Sequence, residues 1–154
     1  MGKTAIAYPG MSLLHDALLT ENKKTGLQAA SAKLIGLGRG LTPSVDDYLF
    51  AFLYSLRVLN LSPSDHIPAT LSELFIQTAD ARTNLFSAAY LKAAASGGRF
   101  SLLDDCLFAE DLHTQKEAVE RLADVGGSSG HDMLAGMLLA LRLAGNHSCT
   151  SRSI

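Results

Sequence analysis

The sequence predicts an all-α fold: one compact helical domain over residues 1–154, with about seven to eight helices and two related units of glycine-rich loop and helix. Three observations carry this. Apolar residues recur at i, i+3, i+4 and i+7 in the longer segments, and no segment alternates convincingly with period two. Hydrophobic residues make up 47% of the chain, whereas aromatics are 6% and tryptophan is absent, so Leu and Ala must build the core. Such small and medium side chains suit helices in close contact, and 154 residues suffice for one buried core.

In chain order, Pro9-Gly10 marks a turn, and Ser12 caps a short helix to about Thr20. Leu27 to Ile35 forms a second helix that ends at Gly36 and Gly38. Pro43 to Asn60 is the strongest helix, with Leu49, Phe52, Leu53 and Leu56 on one face. Leu61 to Pro68, with its two prolines, reads as a connector. Thr70 and Glu73 have capping-box spacing for a helix through the late seventies. The Ala-rich stretch from Ala81 stops at Gly97-Gly98, as a glycine C-cap requires. A short helix follows around Leu102 to Phe108, and a Thr114/Glu117 capping box opens the next, which stops before Gly126-Gly127. The last helix runs from about Gly130 to Leu143, with residues 146–154 expected to fray.

Charge and composition exclude several classes of function. A net charge of −2 provides no basic field for nucleic acid or a membrane surface. Cys106 and Cys149 have no CxxC partner, which suits a reducing compartment better than a disulfide or zinc scaffold. The amino-terminal segment has no apolar core of a signal peptide, and its Gly2-Lys3-Thr4 lacks the rest of a phosphate loop. The apolar run MLAGMLLALRLAG is too short to span a bilayer. The expected location is the cytoplasm.

The most informative feature is an internal echo. With Asp47 placed over Asp132, Leu49 falls on Leu134, Phe52 on Met137, Leu53 on Leu138, Leu56 on Leu141 and Arg57 on Arg142. Ser44 falls on Ser129, and the small residues Ala51 and Ser55 fall on Gly136 and Ala140. Leu-rich amphipathic helices share apolar spacing by default, so the matched Gly/Ser/Asp start carries the argument. Two related units, paired through their small residues, would bring both loops into one cleft.

Those loops are the candidate site. In GLGRGLTPSVDD, Thr42 with Pro43 behind it, or else Ser44 with Asp47 three residues on, can cap the following helix. GGSSGHD offers the same choice with Ser129 and Asp132. Capping alone accounts for Ser44, Asp47, Ser129 and Asp132, and their carboxylates complement the helix dipole. It does not account for Gly36, Gly38 and Gly40 together, or for Asp46 beside Asp47. Bare amides at a helix start bind phosphate, but adjacent carboxylates repel one unless a cation or Arg39 intervenes. Two site types remain open: a phosphate bridged by Mg²⁺ on Asp46 and Asp47, or a neutral or cationic group held by the carboxylates. The candidate ligand residues are Gly38, Arg39, Gly40, Thr42, Ser44, Asp46, Asp47, Gly127, Ser129, Gly130, His131 and Asp132. Arg82 and Thr83 could add a cationic or hydroxyl contact, or simply open a helix. His15, His66, His113 and His147 show no ligand spacing, and Lys23-Lys24 and Asp104-Asp105 read as solvated surface.

GLGRGLTPSVDDYLFAFL, ARTNLFSAAYLKAAASGGRF and VGGSSGHDMLAGMLLAL, in that order, resemble the bacterial family that includes AllH. The resemblance spans roughly residues 30–145 and carries over Gly36, Gly38, Gly40, Thr42, Pro43, Ser44, Asp46, Asp47, Gly127, Ser129, Gly130 and Asp132. It implies a subunit associated with oxamate carbamoyltransferase in anaerobic allantoin breakdown, working with other subunits of a multi-protein enzyme. Family members are about twice this length, with a β-rich part ahead of the helical half, so this chain is expected to have little transferase activity alone. No nucleophile or general base stands out, which keeps a second reading open: a non-catalytic module that binds a metabolite or docks an enzyme partner. A homo-oligomer is compatible with either.

Overall fold

Leu49, Phe52, Leu53 and Leu56 lie one turn apart, and the helix that carries them, α2 (Ser44–Val58), is the centre of the molecule. The computed structural model describes residues 14, 16, 23–59 and 67–150. Around α2 lie α1 (Lys23–Leu34), α3 (Ile67–Arg82), α4 (Leu85–Ala95), α5 (Ser101–Phe108), α6 (Leu112–Ala123) and α7 (Ser129–Thr150). Seven helices and no strand occur among the described residues, which form one domain around one core. The turn expected at Pro9-Gly10 and most of the connector from residue 61 lie outside them, as do His15 and His66. Of the expected first helix only Leu14 and Asp16 are described; both are helical, and Leu14 is part of the core.

Every residue of α2 from Val45 to Leu56 is buried. A helix buried all round needs partners on every face, and α3, α4, α5 and α7 supply them. The α2–α7 pair is the most extensive. It runs with both helix starts on the same side, because Ser129 meets Thr42 while Gly136 meets Tyr48 and Phe52. A Cβ on Gly136 would stand 2.2 Å from the Tyr48 carbonyl oxygen, so only glycine permits this approach. Ala51, Ser55 and Ala140 are also fully buried, in keeping with a seam of small residues.

Several helix starts differ from the sequence expectation. α3 begins at Ile67 rather than at a Thr70 cap, with Pro68 in the first turn, where proline's missing N–H is harmless. Asn84 separates α3 from α4 by accepting a hydrogen bond from the Ser87 N–H at 3.0 Å. Asp111, not Thr114, caps α6: it accepts from both the Thr114 N–H (2.8 Å) and the Thr114 hydroxyl (2.9 Å). An Asp three residues ahead captures the very Thr that would otherwise be the cap. α7 runs to Thr150, beyond the apolar stretch that ends near Leu143.

Elsewhere, long polar side chains brace the bundle. Arg57 donates to the Ala94 carbonyl at the end of α4. Tyr54 donates to Asp104 and accepts from the Phe100 N–H at 3.1 Å, inside a cluster with Phe50, Tyr90 and Phe100. No helix among the described residues is long and apolar enough to cross a membrane.

Candidate functional site

The two glycine-rich loops meet. The Thr42 and Ser129 hydroxyls are 3.1 Å apart, joining motifs 87 positions apart in sequence. Thr42 also donates to Asp47 Oδ2 at 2.9 Å, so a hydroxyl pair from both loops lies against the carboxylate. α2 starts at Ser44 and α7 at Ser129, the positions matched by the echo.

The capping expectation for α2 fails at the atomic level. Pro43 occupies the cap position and no side chain caps the helix. Backbone groups do so instead: the Asp46 and Asp47 N–H groups donate to the Pro43 carbonyl at 2.9 and 3.3 Å, and Val45 N–H donates to the Leu37 carbonyl at 3.1 Å. The loop thus folds over its own helix start. Gly36, Gly38 and Gly40 all have positive φ, and a Cβ on Gly38 would come within 2.4 Å of the Ser44 nitrogen. That is the reason for several glycines, and it leaves three of the first-turn amides already partnered. At α7 the Gly130 N–H donates to the Val125 carbonyl at 3.0 Å, and a Cβ there would overlap the Leu122 carbonyl at 1.8 Å. Gly130 therefore allows α6 and α7 to join tightly.

Asp46 and Asp47, adjacent in sequence, do different work. Both are buried, at 2% and 5% exposure. Asp46 accepts the Gly36 N–H on one oxygen (2.8 Å) and the Thr83 hydroxyl on the other. It ties the loop to the end of α3 through both oxygens, each of which already accepts one hydrogen bond. The Ser87 hydroxyl lies near enough to ease its charge but lacks hydrogen-bond geometry. Burial still holds the Asp46 carboxyl above the usual carboxylate range, because these donors offset only part of the lost hydration.

Asp47 is also pushed up by burial, and the charges of Asp132 and Asp46 push it further. The Ser129 and Thr42 hydroxyls oppose that shift. Asp132 Oδ2 is buried and has no hydrogen-bond partner. No ion pair to Asp46, Asp47 or Asp132 occurs among the described residues. Nor, among those residues, do three His, Cys, Asp or Glu side chains gather as metal ligands. A Mg²⁺ ion shared by Asp46 and Asp47 would compete with the bonds that Asp46 makes to Gly36 and Thr83.

The remaining candidates are more exposed. Gly38, Arg39, Gly40, Gly127 and His131 are exposed, and Ser44 is half-buried at the start of α2. Thr83 and the Leu37 carbonyl emerge as loop-fixing groups. Thr83 was legible as a hydroxyl at a helix junction, whereas nothing in the sequence marks which carbonyl folds back.

The family model of the oxamate carbamoyltransferase subunit AllH matches residues 34–141, a span that contains both loops, all of α2 and α7 as far as Leu141. The chain belongs to the AllH family. No solved structure matches it. The AllH match thus gives the two-loop site a family setting, and the geometry above gives it a shape.

Proposed function

We propose that this AllH-family chain is a subunit of an oxamate carbamoyltransferase-type enzyme and holds a small molecule where its two glycine-rich loops meet. Membership in a family described as an enzyme subunit supports the first half of the reading. The observation that carries the second is the unpartnered, buried Asp132 Oδ2 beside Asp47 and the Thr42–Ser129 hydroxyl pair. A buried acceptor left without a donor costs on the order of 1–3 kcal/mol, which a ligand N–H would recover.

The ligand chemistry follows from the charges. Two carboxylates without a cationic partner disfavour a bare phosphate or carboxylate between them and favour a group that donates hydrogen bonds. An amide or carbamoyl nitrogen, with two N–H donors and no charge, suits Asp47 and Asp132. The hydroxyls of Thr42 and Ser129 can each both donate and accept, so they can turn toward a carbonyl oxygen of the same group. Arg39 and His131, exposed in the two motifs, would meet an acidic end of such a molecule. In this reading Asp46 fixes the loop, and no residue of this chain serves as nucleophile. The chain binds and orients, and group transfer requires partner subunits. Its setting would be the cytoplasm and the breakdown of allantoin.

Calorimetric titration of oxamate into the purified chain, alone and with co-purified partner subunits, tests this. Asp132→Asn and Thr42→Val should weaken binding at least tenfold while the helical circular dichroism stays unchanged. Unaltered affinity in both variants would refute the site. Full carbamoyl transfer by this chain alone would refute the subunit reading.

A further inference from the structure

Behind the first glycine-rich loop lies a groove of opposite electrical character. It has a volume of about 780 Å³ and is lined by Ala29, Ala32, Lys33, Ile35, Gly36, Leu37, Ala81 and Arg82. That volume falls within the roughly 300–1,000 Å³ of small-molecule sites. Among the described residues its only charged lining residues are the two cations, Lys33 and Arg82, one from the last turn of α1 and one from the last turn of α3. Neither has an acidic partner among the described residues. The rest of the lining is apolar or glycine, with Ile35 buried at 4% exposure as part of the floor.

We propose that this groove binds a small organic oxyanion, a carboxylate or phosphate with a short apolar part, between Lys33 and Arg82. A cation in the last turn of a helix ordinarily offsets the helix dipole, and that role accounts for either residue taken singly. Here, however, the carbonyls of Ser31, Leu34 and Ala79 are already bonded by the N–H groups of Ile35, Leu37 and Thr83, at 3.0, 3.1 and 3.0 Å. Those three carbonyls have backbone donors, and two cations from different helices line one concave surface. The Arg82 guanidinium provides paired donors for a planar or tetrahedral oxyanion, and Lys33 adds a movable charge. Ala29, Ala32, Ile35 and Leu37 offer contact to a methylene or methyl group but no donor or acceptor side chain.

The groove also abuts the loop that Asp46 fixes. Gly36 lines it, and the Gly36 N–H is the donor held by Asp46. An anion seated there would stand across the loop backbone from the carboxylate site, so the two sites would take ligands of opposite preference. This proposal does not depend on the amide site, and the variants separate the two.

The test is calorimetry on the full chain at constant ionic strength, with inorganic phosphate and with butyl phosphate as probes. Both should bind, butyl phosphate at least threefold more tightly because of the apolar floor. Lys33→Gln and Arg82→Gln should each weaken butyl phosphate at least fivefold without shifting the melting temperature, since both side chains are exposed. Lys116→Gln, on α6 and paired with Glu120 away from the groove, and Asp47→Asn should leave it unchanged. Absence of binding at millimolar probe, or equal weakening by Lys116→Gln, would overturn the proposal. Loss through Asp47→Asn alone would assign the anion to the loop cleft and overturn it as well. Should Arg82→Gln fail to fold, Lys33→Gln alone decides the outcome.

Discussion

α2 and α7 start at matched residues, share a pattern of apolar and small positions, and pack on each other, yet they occupy different environments. Leu53 is fully buried, while its counterpart Leu138 is 53% exposed. Leu56 is 3% exposed, whereas Leu141 is 42%. Arg57 closes the end of α4, while Arg142 is exposed and acts only weakly, as a charge near Tyr48. What the two helices keep in common is the seam between them and the loops at their heads. Two helices of matched pattern thus keep the contact between them, while their outward faces differ with whatever packs there.

Truncating the matched leucines is the sharpest way to break this comparison. Leu53→Ala should cost about 2–5 kcal/mol, because a cavity opens where nothing can collapse to fill it. Leu138→Ala should cost no more than about 0.5 kcal/mol, as expected of a surface position. Urea unfolding of both variants gives the two values directly. Equal losses would mean that the outer face of α7 is as covered as α2.

The seam provides the next largest effect. Gly136→Val should destabilise by about 1–3 kcal/mol, because its Cβ would strike the Tyr48 carbonyl and the paired helices must separate. Ala51→Gly, at the matched position, should cost about 1 kcal/mol from helix propensity. The asymmetry sharpens the picture: the close approach is made by α7 onto the backbone of α2. A thermal unfolding series with Gly136→Ala between the two extremes measures how much room remains.

Much of this was legible beforehand, and the reasons are specific. The all-α fold followed from spacing, and the register of Asp47 on Asp132 located both helix starts as well as the small residues between them. Which helix lies at the centre did not follow, because a leucine at a helical apolar position reads the same with one covered face or several. The caps misled for a related reason. Thr42 and Ser44 have the chemistry of caps, but a loop with three positive-φ glycines brings the Leu37 carbonyl back to the start of α2, a backbone closure without a side-chain signature. The difference between Asp46 and Asp47 was equally hidden. It depends on the helix that lies next to each, and Asp46 happens to face Gly36 and Thr83.

At the joined loop heads the expected effects are smaller. Thr42→Val and Ser129→Ala should each cost about 1 kcal/mol, typical of a hydrogen bond at a partly buried position. Because the two hydroxyls bond each other, the double variant should cost less than the sum of the singles by about 0.5 kcal/mol or more. Strict additivity in the double-mutant cycle would mean that the loops touch without being coupled.

The smallest effect is the most diagnostic, because its sign differs between two aspartates. Asp47 is held above its usual 3.8 by burial, so the folded state binds its proton more readily than the unfolded state does. Its contribution to stability is fully present below about pH 3.8 and is lost as pH rises through the elevated folded value. Asp111 is the reverse case: the Thr114 N–H and hydroxyl hold its carboxyl below 3.8. The stability contributed by Asp111 is present above 3.8 and disappears as pH falls through its depressed folded value. Melting temperatures of the wild type, Asp47→Asn and Asp111→Asn from neutral pH down to about pH 3.5 therefore form one experiment with an internal control. On acidification the wild type should gain relative to Asp47→Asn and lose relative to Asp111→Asn. Groups away from the site titrate alike in the three proteins, so the differences report Asp111 and, on the other side, Asp47 with its coupling to Asp46 and Asp132. If the wild type lost ground to Asp47→Asn on acidification, Asp47 would have to be stabilised as an anion, by a cation or by donors from both loops. The case for a neutral, hydrogen-bond-donating ligand at the joined loops would then fall, and an anion-stabilising site would replace it.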